Sequence, residues 1–138
     1  MDFKDITIFI VDDDDSFRRS LRRLISVAGF RTMAFGSAQE FLDSRNYLSN
    51  GVLILDVRMP EMGGLDLQKR LADLGADIPI IFMSAHIDTY ARQKALDTYA
   101  RQKALEAGAF DFIMKPFEEQ TLVTSIKKTL SSNLSLRE

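Results

Sequence analysis

Four consecutive aspartates, Asp12 to Asp15, follow the apolar run from Ile6 to Val11, and another aspartate, Asp56, follows the apolar run from Val52 to Leu55. Carboxylates that converge in a small cleft repel one another, so either they take up protons or a cation neutralises them. Hard oxygen donors of this kind select magnesium, manganese or calcium. Ser84 closes a further apolar run, Ile78 to Met83, and Lys115 closes the run from Phe110 to Met114. If these runs all end at one edge of a sheet, that edge gathers carboxylates, a hydroxyl and a fixed cation. The set suits phosphoryl chemistry. Metal and lysine neutralise charge on a transferring phosphoryl group, the hydroxyl donates to one of its oxygens, and a carboxylate is the nucleophile. Asp14 and Asp15 have a simpler reading as the acidic start of a helix, where the helix dipole favours them.

The elements that must position these residues follow from periodicity. Ile6 to Val11 is β-branched and continuously apolar, as a strand buried on both faces reads. Phe17, Leu21, Leu24, Ile25 and Ala28 recur at helical spacing, Gly29 stands at a helix stop, and a short strand covers Arg31 to Phe35. Ser37 and Glu40 fit a capping box that opens a second helix. Val52 to Leu55 is the third strand, Leu67, Leu71 and Leu74 mark helix three, and Leu122, Ile126 and Leu130 mark a last amphipathic helix. Alternating strands and helices predict an α/β fold, a flavodoxin-like doubly wound parallel sheet of five strands in the order 2-1-3-4-5 with five helices. Ligands of such sheets sit beyond the carboxyl ends of the strands. Residues 1–130 form the domain, and 131–138 read as a tail or the start of a linker.

With those residues in place, the chain resembles the receiver domains of two-component response regulators, of transcription-regulator type. The resemblance rests on Asp12-Asp13 after a hydrophobic strand, Asp56 followed by Met59-Pro60 and Gly64, Ser84-Ala85, and Lys115-Pro116-Phe117, and it covers roughly residues 5 to 130. It implies that Asp56 accepts a phosphoryl group from a sensor histidine kinase. It implies too that Asp13 binds Mg2+ directly, that Asp12 binds it mainly through water, that Arg58 lends its backbone carbonyl, and that Asp56 belongs to the same metal site. Ser84 is then the hydroxyl that moves toward the phosphoryl oxygens, Lys115 the cation that pairs with them, and Pro116 the residue after a cis peptide bond. Arg58 and His86 occupy positions that tune phosphoryl lifetime in the family, although His86 reads more simply as an ordinary exposed loop residue. Phe112 takes the place of the aromatic switch, or is simply core. The implied readout is a population shift that remodels the surface of helix four, strand five and helix five, through which the domain would also self-associate. No enzymatic turnover is expected beyond Mg2+-dependent self-phosphorylation and autodephosphorylation.

One feature departs from the family pattern. DTYARQKAL stands at residues 88–96 and again, unchanged, at 97–105. Between His86 and Ala107 lie 20 residues, and removing one copy leaves 11, the spacing that the resemblance implies. Nine residues turn a helix through about two and a half turns, so the copies face opposite sides of helix four. The second copy, continuous with Ala107-Gly108-Ala109, is expected to keep the packing, with Tyr99 and Leu105 more buried than Tyr90 and Leu96. The first becomes an extension of about 13 Å or a looped segment, and an exposed apolar stripe on it would promote self-association.

Composition excludes several other classes. With 46% apolar and 28% charged residues the profile is that of a globular domain rather than a disordered one. A net charge of -2 leaves no basic footprint for direct nucleic-acid binding. The absence of cysteine removes disulfides, thiolate metal sites and cysteine nucleophiles. No signal peptide or membrane span is legible, so the expectation is a cytoplasmic protein without membrane association. A magnesium phosphatase built on Asp12 and Asp14 leaves Asp56 unexplained, and four aspartates would repel the phosphate of a flavin. The alternative of another class is a receiver-like interaction module that is never phosphorylated.

Overall fold

The computed structural model describes residues 5–85 and 91–137, the side chains of 91–97 and 133–137 excepted. Five parallel strands, β1 (Thr7–Val11), β2 (Arg31–Phe35), β3 (Gly51–Asp56), β4 (Ile80–Ala85) and β5 (Asp111–Lys115), lie in the order β2-β1-β3-β4-β5. Helices α1 (Asp15–Val27), α2 (Ala38–Ser44), α3 (Gly64–Asp73), α4 (Ala91–Glu106) and α5 (Glu119–Arg137) alternate with them. This is the doubly wound fold expected from the periodicity. The register pairs Val11 with Leu55, Asp56 with Met83, and Ala85 with Lys115, so the strands end together at one edge. Asp56, Ser84 and Lys115 belong to their strands rather than following them, because the backbone ladder continues beyond the last apolar side chain.

The two-residue alternation of strands divides the core into two layers. Ile8, Ile10, Val52, Ile54, Ile81, Met83 and Ile113 face α1 and α5, meeting Leu21, Ile25, Leu122, Ile126 and Leu130. Phe9, Val11, Leu53, Leu55, Phe82 and Phe112 face the other way, onto Ala38, Phe41, Leu67, Leu71 and Ala104 of α2, α3 and α4. Neighbouring strands approach closely at Gly51, where an added Cβ would lie 2.1 Å from the Thr7 carbonyl oxygen. Among the described residues no helix is long and apolar enough to cross a membrane.

Local chemistry accounts for the helix ends. Asp14 caps α1 by accepting from Phe17 N at 3.0 Å. Ser37 caps α2, accepting from Glu40 N at 3.1 Å, but the returning Glu40 carboxylate accepts from Gly36 N at 3.0 Å rather than from Ser37. Leu74, expected on the buried stripe of α3, is instead 56% exposed, because α3 ends at Asp73 and Leu74 is its cap. α5 continues through Arg137, past the boundary at 130 set by its apolar spacing.

Among the described side chains of α4 the one fully buried against the rest of the domain is Ala104, whose carbonyl oxygen accepts from the buried Gln68 Nε2 of α3 at 3.0 Å. Tyr99 and Leu105 are 59% and 39% exposed, so the contact is made through the smallest residue of the second copy rather than its largest. Tyr90 and the side chain of Leu96, the other half of the expected comparison, lie outside the described residues. The helix is fixed at its C-terminal end. Gly108 takes a left-handed φ of 101°, Ala109 N donates to Ala104 O at 3.0 Å, and Phe110 N donates to Ile80 O of β4 at 2.8 Å.

Candidate functional site

Asp12 follows β1 directly and Asp56 ends β3, its hydrogen-bonded neighbour, so parallel pairing alone brings the two carboxylates together. Asp12, Asp13 and Asp56 present carboxylate oxygens that all lie within 4.8 Å of one another. Asp12 is 1% and Asp56 7% exposed, whereas Asp13 faces solvent. Asp12 is held on several sides: its Oδ1 accepts from Asp14 N at 2.9 Å, and Arg18 Nη1 donates to its carbonyl oxygen at 2.8 Å. Arg18 also pairs with Asp15, which leaves Asp14 and Asp15 as parts of the helix start rather than of the cleft.

Lys115, at the end of β5, supplies the positive charge. Its Nζ donates to Asp12 Oδ2 at 2.9 Å and stands 4.0 Å from Asp56 Oδ2. One ammonium against three carboxylates leaves the cleft with excess negative charge. Burial pushes the Asp56 carboxyl up from 3.8 to about 6; Asp12 and Asp13 push the same way, while Lys115 and the Arg58 N–H, 3.4 Å from Asp56 Oδ1, pull it down. Ser84 Oγ, on the same strand ends, is buried and has no hydrogen-bond partner among the described residues. A buried hydroxyl without a partner costs stability unless a water, an ion or a ligand atom completes its bonding.

Phe112, 7% exposed, stacks on Phe82 with ring centroids 6.0 Å apart, on the opposite layer from Ile113. The Lys115–Pro116 peptide bond is cis, as expected. His86 lies outside the described residues. Two neighbours of the cleft were not legible in the sequence. Nothing in the sequence singles out Arg18, and Phe17 read as a core position, yet the Lys115 ammonium lies over the Phe17 ring, 3.9 Å from its centre.

Residues 8–127 match the family model described as the response regulator receiver domain. The chain belongs to the response regulator receiver family. Among curated relatives, this receiver is 45% identical over 130 residues to the response regulator protein TmoT of Ectopseudomonas mendocina, spanning 94% of this chain and 55% of that protein. It is 37% identical over 124 residues to the transcriptional regulatory protein FixJ of Rhizobium meliloti, spanning 90% of this chain and 56% of that protein. The solved structure of the response regulator StyR superposes with a TM-score of 0.80 at 41% identity, covering 96% of this chain and 63% of that one. The chain spans about half the length of the curated relatives it matches. Receivers are the regulatory modules of two-component systems, in which they pair with sensor histidine kinases.

The receiver's cleft fits a divalent cation on its own geometry, since three mutually close carboxylates and one lysine call for further positive charge. Its floor depends on Gly64, the first residue of α3, where an added Cβ would lie 2.4 Å from the Asp56 carbonyl oxygen and 3.0 Å from the Phe82 ring. Gly64→Ala must therefore push α3 away from the end of β3. We expect it to lose about 2 kcal/mol of stability by urea unfolding, with a weakened Mg2+ response. An unchanged urea midpoint would show that the backbone there yields freely.

Proposed function

We propose that this receiver accepts a phosphoryl group on Asp56 from a phosphohistidine of a sensor kinase. The phosphorus–nitrogen bond of the donor breaks as an Asp56 carboxylate oxygen forms the acyl phosphate, and the departing imidazole nitrogen keeps the electron pair and takes up a proton. Asp12, Asp13 and Asp56, with the Arg58 backbone carbonyl, would hold Mg2+, which when bound neutralises charge on the phosphoryl oxygens as a Lewis acid. Asp56 attacks as the carboxylate, the form that a bound cation would favour against the burial that raises its pKa in the metal-free protein. Lys115 moves its ammonium from Asp12 toward a phosphoryl oxygen, and the unpartnered Ser84 hydroxyl donates to another. The shift of Ser84 frees space beside β4 and β5, which Phe112 occupies, and so biases the surface of α4, β5 and α5.

The observation that carries this reading is the meeting of Asp12, Asp13 and Asp56 within 4.8 Å, with Lys115 between two of them. In the same reading the regulatory domain extends beyond residue 130 with α5, which runs to Arg137, and it works in the cytoplasm as part of a transcription regulator. Exposed Tyr99, Leu105 and Phe110, on α4 and just before β5, support self-association through that surface. Intact mass after incubation with Mg2+ and a small phosphodonor tests the chemistry: one added phosphoryl group is expected, and none on Asp56→Asn. A folded protein that gains nothing would instead be an interaction module.

A further inference from the structure

We propose that Phe17 is a positioning residue for Lys115, holding the ammonium at the carboxylate cleft through the face of its ring; the inference rests on the phosphoryl-accepting reading above. The Lys115 ammonium has three flanks recorded by geometry: Asp12 Oδ2 at 2.9 Å, Asp56 Oδ2 at 4.0 Å, and the Phe17 ring centre at 3.9 Å. The ring is itself fixed. Phe17 N is bonded to the Asp14 cap, and the edge of the ring meets Phe117 at 87° with centroids 6.3 Å apart. Phe117 follows Lys115 by two residues, so the lysine's own segment buttresses the ring that faces it.

The chemistry explains why a ring suits this place better than a third carboxylate. A lysine side chain is long and rotamer-rich, and in water its ammonium would be free to leave the cleft. A cation–π attraction restrains it without engaging a lone pair, so it does not fix the direction of any N–H. The ammonium has three donors and Asp12 takes one. The others stay available for a phosphoryl oxygen, and the charge can slide from Asp12 toward that oxygen while remaining over the ring. A carboxylate in place of Phe17 would hold the lysine more strongly but would compete with the phosphoryl group for it.

The test compares Phe17→Leu with Phe17→Tyr. Leucine keeps an apolar side chain and removes the ring; tyrosine keeps the ring. With saturating Mg2+ and a small phosphodonor, Phe17→Leu is expected to accept phosphoryl about tenfold more slowly, and Phe17→Tyr to recover most of the rate, with circular dichroism confirming that both are folded. Equal rates in Phe17→Leu and wild type, or a Phe17→Tyr as slow as Phe17→Leu, would overturn the proposal. A second readout needs no phosphorylation. In the metal-free protein with 13C-labelled lysine, the ε-methylene signal that Lys115→Arg removes should lie upfield of the other lysines, since protons over a ring face are shielded. A Lys115 signal at the common lysine position would overturn the proposal even if Phe17→Leu does not fold. If the signal is upfield but no variant, wild type included, takes a phosphoryl group, the placement stands and the phosphoryl-accepting reading fails.

Discussion

Lys115→Met is expected to destabilise the metal-free receiver by about 3 kcal/mol, the low end of what removing one partner of a buried ion pair costs. The reason is Asp12. It is 1% exposed and its Oδ2 depends on Lys115 Nζ at 2.9 Å, so without the lysine a buried carboxylate keeps, among the described residues, the Asp14 N–H on its other oxygen. Asp56 loses the same counter-charge. The low end applies because Asp13 beside them faces water and solvent reaches the mouth of the cleft. Denaturant unfolding in a chelator should show the full deficit, and millimolar Mg2+ should recover part of it by restoring positive charge. In a double-mutant cycle, Asp12→Asn combined with Lys115→Met should cost much less than the separate changes added together. Strict additivity would mean that the two groups do not support each other.

Asp56→Asn should act in the opposite direction and stabilise the metal-free protein, by about 2 kcal/mol near pH 7, less than the full shift because solvent reaches the cleft. Burial, with help from Asp12 and Asp13, raises the Asp56 carboxyl from 3.8 to about 6, so the folded state binds that proton more tightly than the unfolded chain. The fold therefore favours the neutral acid. As pH rises from 3.8 the unfolded carboxyl ionises first and stability is lost, until the folded group has also ionised above about 6 and the loss levels off. Asparagine, neutral at every pH, escapes this loss. Stability measured from about pH 4 to pH 8 should show wild type and variant converging at the acid end and separating at neutral pH. Adding Mg2+ should narrow the neutral-pH gap, since only the wild type retains the full ligand set. A variant less stable than wild type at every pH would mean that Asp56 is stabilised by its surroundings rather than strained by them.

These expectations divide along the line between what a one-dimensional pattern encodes and what only packing decides. Asp12, Asp56, Ser84 and Lys115 were legible because each closes an apolar run, and parallel strands in register deliver run ends to one edge. The burial of Leu21, Ile25, Leu67, Leu71, Leu122 and Ile126 on their helices was legible from helical spacing, whereas the layer each joins was not. Phe17 was not. Its spacing on α1 is that of a core residue, and nothing local announces that the ammonium of Lys115, far along the chain, lies over its ring. Nor was the seat of α4 legible: two identical nonapeptides offer tyrosine, leucine and alanine twice, and the close approach to α3 selects alanine. Leu74 misled because periodicity continues in the sequence for one residue after the helix has stopped.

The way α4 is fastened bears on how such a chain tolerates growth. Among the described residues its anchors lie at the C-terminal end: the left-handed Gly108, the Ala109 bond back to Ala104, and the Phe110 bond to β4. Neither the glycine stop nor the phenylalanine follows the first copy, where Ala95-Leu96 runs straight into Asp97-Thr98. A helix moored at one end can gain whole turns at the other without disturbing the moored residues, much as rope is paid out from a fixed cleat. A single residue inserted between Ala104 and Phe110 would therefore rotate the seat and pull on β5, and with it Lys115, whereas length added before Ala104 leaves those described anchors in place.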